Sequence, residues 1–216
     1  MEVHHKTLYP VARITPQGTR FLGTCFVLDK PGHFATALHV TDQLDQGLII
    51  VIPGLDGYDD YQRGLKETYS YVSVEIIAAD PVRDLCVLKA TNDTDIVTNI
   101  KCAGTDSVSV REEIAIIGFP HLTDNRIILT YQETIVGAKT MLTAANIDVK
   151  HIIANLQTSP GQSGSPVFRK SNADLIGIVA GAYNSPQGSF SMGNINPGAL
   201  NQTTMVVSAE YLSKMY

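Results

Sequence analysis

The stretch TSPGQSGSPVF, residues 158–168, decides how the rest of the chain is read. It sets Ser163 close to Gly161 and Gly164, brackets the group with Pro160 and Pro166, and runs on into an apolar strand signal. Serines flanked by glycine are commonly plain turns. A nucleophilic serine needs more: a base to take its proton, and backbone donors for the oxyanion that forms on attack. Gly161 has access to backbone conformations closed to other residues, so its N–H and that of Ser163 can converge on one point. The pattern is not the esterase elbow G-x-S-x-G, because Ser165 stands at the second glycine position.

The base is sought among six histidines: His4, His5, His33, His39, His121 and His151. His4 and His5 sit near a chain end, and His33, His121 and His151 lie in or beside polar turns with no further signal. His39 stands in FATALHV, where an apolar strand meets a threonine–alanine turn. Alone it reads as an ordinary core or surface histidine. The orienting acid should be buried and able to accept from the imidazole. DPVRDLCVLKA offers Asp80 and Asp84. Asp84 heads an alternating strand, whereas Asp80 precedes Pro81 and reads as a turn residue; Asp56, Asp59 and Asp60 belong to a loop.

Strand signals fill the remainder. Residues 8–15, 20–29, 47–52, 71–78 and 85–90 are short, β-branched or alternating, and separated by Gly, Pro and Asp. A second series covers 113–119, 127–138, 151–157, 165–168, 175–182 and 203–208. The polar segment 91–111 separates the two series, and 209–216 has the spacing of a short C-terminal helix. No long amphipathic helices lie between strands, so a doubly wound parallel sheet is excluded and an all-β fold of paired barrels or a sandwich is expected. Two irregular segments stand out: 53–70, acidic and tyrosine-bearing, and 184–201, rich in Gly, Asn and Pro. Long loops in compact domains are often functional.

Composition narrows the class. The 216 residues carry a formal charge of −5 and no basic block, which argues against nucleic acid as a partner. No apolar run approaches the roughly 18 residues of a membrane helix. The opening residues lack a secretory h-region, and the Met1 start favours direct translation into the cytoplasm. Three cysteines, Cys25, Cys86 and Cys102, are odd in number, fit a reducing compartment and lack zinc-ligand spacing. No metal or cofactor is expected.

Taken together, TALHV, RDLCVLK and GQSGSPV resemble the histidine motif, aspartate strand and nucleophile loop of the trypsin-like (chymotrypsin-fold) serine peptidases. IAIIGFP is similar to the first strand of that family's second barrel, and the resemblance runs from about Thr19 to Ala182. It is nearest to the bacterial HtrA-like and glutamyl-endopeptidase-like branches. It implies two six-stranded antiparallel barrels within one peptidase domain, residues 1–100 carrying His39 and Asp84 and residues 101–216 carrying Ser163. It implies a triad of His39, Asp84 and Ser163, an oxyanion hole from the Gly161 and Ser163 N–H groups, and a polypeptide substrate.

The departures carry information too. Val40 and Ser159 occupy positions where digestive relatives place cysteines, so Cys25 lacks the partner those relatives supply. Gln162 replaces the aspartate that captures a freshly cut N-terminal ammonium in zymogen-activated members, and a neutral amide cannot form that ion pair. The resemblance puts Gln157 and Thr158 near the floor of the substrate pocket, Val179 where glutamate-selective relatives carry histidine, and Ala180, Gly181 and Ala182 beside the substrate backbone. With no acid or histidine there, cleavage after small or uncharged residues is expected. A protein activator or regulator, in stress or defence, is expected to gate such an enzyme. The alternatives are an idle barrel that only binds peptides, through a flipped turn at 160–162, and an esterase.

Overall fold

The computed structural model describes residues 5–55, 57–63, 69–122, 126–182 and 203–216. The 184–201 loop, His4 and Asp56 lie outside them. Strands β1 (Leu8–Thr15), β2 (Gly18–Val27), β3 (His33–Ala37), β4 (Leu48–Ile52), β5 (Ser70–Asp80) and β6 (Leu85–Ala90) close a first barrel, in the order β1-β2-β3-β6-β5-β4. Strands β7 (Glu113–Gly118), β8 (Thr130–Ala144), β9 (Ile147–Ala154), β10 (Pro166–Arg169), β11 (Leu175–Ala182) and β12 (Thr204–Ser208) close a second, in the order β10-β11-β12-β9-β8-β7. All the strand pairings are antiparallel. The expected pair of six-stranded barrels is therefore what the chain forms.

Strand alternation explains why these sequences choose barrels that pack on each other. In β6, Cys86 and Leu88 point into the interior of the first barrel, with Val11, Phe34 and Ile50. The alternate residues Leu85 and Val87 face a second cluster between the barrels, with Phe26, Ile117, Phe119 and Phe168. A strand buried on both faces reads as a continuous apolar run, as LCVL does. The second barrel has its own interior of Ile114, Ile116, Val136, Ile152, Val167 and Val206. The site can therefore lie where two rigid barrels meet.

Three details depart from the sequence reading. The sixth strand of the first barrel is His33–Ala37, the apolar strand that leads to His39 but falls outside the first strand series. The hairpin β8–β9 is longer than expected, and its two central residues, Ala145 and Asn146, take φ of 49° and 61°. Two successive positive φ values define a type I′ hairpin turn, here built without the usual Asn-Gly signal. The C-terminal element is a 3-10 helix, Ala209–Lys214.

Candidate active site

His39 lies on a 3-10 turn, Leu38–Thr41, that follows β3 directly. Leu38, Val40 and Thr41 are buried there while His39 remains exposed, so packing of its neighbours presents the imidazole to solvent. Asp84 is the last residue of the turn before β6, with φ of 55°. That left-handed conformation is one aspartate tolerates better than most residues. Asp84 grips the histidine turn through three groups. Its carbonyl accepts the Leu38 N–H at 3.0 Å, Oδ1 accepts the His39 N–H at 2.9 Å, and Oδ2 lies 2.6 Å from His39 Nδ1. With Oδ1 occupied by backbone, Oδ2 is left to fix the ring. The Asp84 hydrogen bond raises the His39 pKa, desolvation works against it, and the Asp84 and Asp42 charges add to the rise. The Asp84 side chain retains about a third of its exposure, 34%, more than the buried acid expected.

Asp80 does what a turn residue does. Its Oδ1 accepts the Val82 and Arg83 N–H groups at 3.0 Å each, and Oδ2 pairs with Arg83 Nη1 at 2.5 Å. His33 and His151 are buried, each with Nδ1 against a nearby backbone carbonyl, and burial lowers the His151 pKa.

Ser163 reaches the same cleft from the second barrel. A cavity of about 600 Å³ is bordered by His39, Val40, Asp42, Pro160, Gly161 and Ser163, with residues 19–22 of β2 forming the other wall. Among the described residues no hydrogen bond joins the Ser163 hydroxyl to His39; what they share is this cleft.

The turn before Ser163 has a definite form. The Gln162 N–H donates to the Ser159 carbonyl at 3.1 Å, and Gly161 has φ of +101°. Proline at the second position fixes a negative φ and positive φ follows at the third, which together define a type II turn. The Pro160 carbonyl accepts the His121 N–H at 2.8 Å. Since a trans peptide directs its C=O and N–H oppositely, the Gly161 N–H points away from His121. The Gly161 carbonyl accepts the Thr24 hydroxyl at 2.8 Å, and the Thr24 N–H donates to the Ser163 carbonyl at 2.9 Å. Gly164 (φ +82°) is needed for space as well as conformation, because a Cβ there would lie 2.2 Å from both the Thr24 carbonyl and the Thr36 hydroxyl. Ser165 is accommodated by Gly118, where a Cβ would fall 1.9 Å from the Ser165 hydroxyl.

Of the six positions expected at the substrate pocket, Gln157 and Thr158 precede the Ser163 turn and Val179, Ala180, Gly181 and Ala182 lie on β11. Gln157 is exposed and Thr158 half-buried, its hydroxyl 3.1 Å from that of Thr204. Val179 is fully buried in the second-barrel interior, so its side chain belongs to the core. Ala180 and Gly181 are half-buried on β11, and the Ala182 backbone pairs with Thr204. Thr24, Gln132 and His121 were not legible as site residues. Thr24 reads as one more residue of an apolar strand, and its partner Gly161 lies 137 positions away. Among the described residues no cluster of His, Cys, Asp and Glu could hold a metal ion.

Residues 23–178 match the trypsin-like peptidase domain family. The chain belongs to this family, whose class is that of the serine protease hydrolases. It is 26% identical over 169 residues, 78% of this chain and 31% of the other, to a probable periplasmic serine endoprotease, DegP-like, of Halomonas elongata. A protein of the same description from Pseudomonas fulva is 24% identical over 157 residues, 73% of this chain and 28% of that one. The chain thus spans about a third of the length of these curated relatives. Its fold is that of the MamO protease domain from Magnetospirillum magneticum (TM-score 0.67, 13% identity, 98% of each chain). The HtrA-type protease AlgW, solved with a tripeptide, is similar too (TM-score 0.63, 17% identity, 97% of this chain and 58% of that one). The resemblance falls on the HtrA branch.

Proposed function

We propose that the chain is a serine endopeptidase that works through Ser163, His39 and Asp84 by way of an acyl-enzyme. His39 takes the Ser163 proton as the hydroxyl attacks the peptide carbonyl, then delivers it to the departing amine. Water repeats the attack on the acyl-enzyme, with His39 again as base. Asp84 keeps the proton on Nδ1, so that Nε2 is free to accept, and balances the imidazolium while it lasts. The N–H groups of Gly161 and Ser163 receive the oxyanion, one such donor being worth about 2.7–4 kcal/mol. The observation that carries this reading is the seating of His39 on both oxygens of Asp84, one through the backbone and one through the ring.

The hydrogen bonds that hold the Ser159–Gln162 turn favour an enzyme over an idle peptide-binding barrel with that turn flipped. A partner that gates the enzyme in stress or defence is the companion expectation. The neutral Gln157 and Thr158 favour small or uncharged residues before the cut over Arg, Lys or Glu. Three free thiols favour a reducing compartment, the cytoplasm; the periplasmic relatives weigh on the other side.

A fluorophosphonate probe tests the reading. Covalent labelling that disappears in Ser163→Ala is expected, and an unlabelled wild-type chain overturns it. Peptide-library cleavage then tests selectivity: strong cutting after Arg or Glu would refute the neutral-residue preference, and ester turnover without amide turnover would favour the esterase.

A further inference from the structure

Gln162, the residue before the serine, has a fully buried side chain. A buried amide must find partners for both its oxygen and its nitrogen, or lose the hydration of whichever is left over. Gln162 finds both. Its Oε1 accepts the Ser159 N–H at 2.8 Å, and its Nε2 donates to Oε1 of Gln132. Its backbone N–H also donates to the Ser159 carbonyl. Residues 159 and 162 are therefore tied twice, once through each polar group of the Ser159 backbone.

Gln132 makes a firm post. It is the third residue of β8, in register with Ile116 of β7. The chain just before it is held from the first barrel, where the Gln62 side-chain amide donates to the Leu129 carbonyl at 2.9 Å and accepts the Leu129 N–H at 2.8 Å. Stiffness thus passes from the barrel wall through Gln132 and Gln162 to Ser159, the first residue of the turn.

We propose that Gln162 and Gln132 form a charge-free latch that holds the Ser159–Gln162 turn in its type II form and so keeps the Gly161 N–H aimed for the oxyanion. Both are positioning residues, acting through the turn. The inference rests on the peptidase reading for its catalytic consequence, but not for its structural one. With residues 159 and 162 clamped and the φ of Pro160 fixed, the freedom that remains is rotation of the Pro160–Gly161 peptide. The His121 N–H on the Pro160 carbonyl opposes that rotation. Two amides carry no titrating proton, so the latch needs neither a chain cut nor a particular pH.

The test uses the whole chain with Gln132→Leu, Gln132→Glu and the double substitution Gln132→Glu/Gln162→Glu. Glutamate at 132 still accepts from Gln162, whereas leucine cannot. Two carboxylates within hydrogen-bond reach of each other cannot both ionise without repulsion, so the double variant makes the latch titratable. Two readouts are taken: hydrogen exchange of the peptide covering residues 158–164, and fluorophosphonate labelling between pH 5 and 9.

Gln132→Leu should exchange this segment at least about tenfold faster and label at least about tenfold more slowly, in line with loss of one oxyanion donor. Gln132→Glu should restore both to within about threefold, and the double variant's labelling relative to wild type should fall as pH rises. Unchanged exchange and labelling in Gln132→Leu overturns the latch, as does a pH-independent ratio in the double variant. If Gln132→Leu loses protection but no chain labels at any pH, the latch stands and the peptidase reading falls.

Discussion

The hydroxyl of Thr24 donates to the carbonyl of Gly161 at 2.8 Å while accepting the Phe119 N–H at 3.2 Å. One buried side chain from the first barrel thereby joins the Ser159–Gln162 turn to the end of β7 in the second. Thr24→Val keeps the shape and removes the hydroxyl, leaving a buried carbonyl and a buried N–H without that partner. Each such loss costs about 1–3 kcal/mol. The variant should unfold at lower urea and label with fluorophosphonate more slowly, whereas Thr24→Ser should retain both. A Thr24→Val chain with wild-type stability and labelling would dismiss this joint.

Because hydrogen bonding to Asp84 raises the His39 pKa, the fraction of His39 able to act as base is set above the ordinary histidine midpoint of about 6.5. The proposed reaction needs the neutral imidazole, so kcat/KM should climb with pH and reach half its plateau above that value. The folding contribution has the opposite slope. The raised group binds its proton more tightly when folded, so its stabilisation is full at low pH and fades as pH rises through the folded pKa. Asp84→Asn should move the acid limb downward and cut kcat by up to about four orders of magnitude, through loss of the correct tautomer. A pH–rate profile of both chains decides; an unchanged midpoint in Asp84→Asn would discount Asp84 as the cause.

Cys25 and Cys86 are buried, and burial raises both thiols, Cys86 to about 12, with the Asp45 charge adding to it. Cys102 is exposed, yet desolvation with nearby Asp29 and Glu210 pushes it up to about 11, and its Sγ donates to the Ala209 carbonyl at 2.9 Å. Thiolates are the reactive form, so all three should react slowly with a disulfide reagent in the folded chain. Cys102 should react first, and three equivalents should appear on unfolding. Fewer than three on unfolding without reductant would mean a disulfide and an oxidising compartment.

The barrels were legible because strand alternation is local: LCVL, IAIIG and LIGIVA carry their own period and burial. The candidates His39, Asp84 and Ser163 could be picked out because each sits in a short motif whose neighbours position it, as Leu38 and Val40 position His39. What stayed hidden depends on pairs distant in the chain. Nothing in LGTCF marks Thr24 as the partner of Gly161, and nothing in TYQET marks Gln132 as the partner of Gln162. The hairpin at Ala145 and Asn146 was missed for a local reason, since alanine in the left-handed region gives no turn signal. The facing of Val179 was not legible either, because its place on β11 says which strand it belongs to and only the closed barrel says which way it faces.

Arg13 supplies the remaining support for His39. It is nearly buried on β1, and its guanidinium donates to the carbonyls of Thr41 at 2.5 Å, Gln46 at 2.7 Å and Leu44 at 3.0 Å. These carbonyls belong to the segment that leaves the His39 turn, where Asp42 and Gln43 take φ of 50° and 56°. A cation spread over three carbonyls suits the planar fork of arginine, and lysine cannot reproduce that geometry. Arg13→Met would take the guanidinium from all three carbonyls, at a cost of about 3 kcal/mol. For a chain of this length that corresponds to a fall of about 6–12 °C in Tm. Arg13→Lys should fall between. The His39 turn should loosen with it, so labelling at Ser163 should slow in the same order, Arg13→Met below Arg13→Lys below wild type. Thermal melts and labelling rates that fail to follow this order would release Arg13 from any part in holding His39.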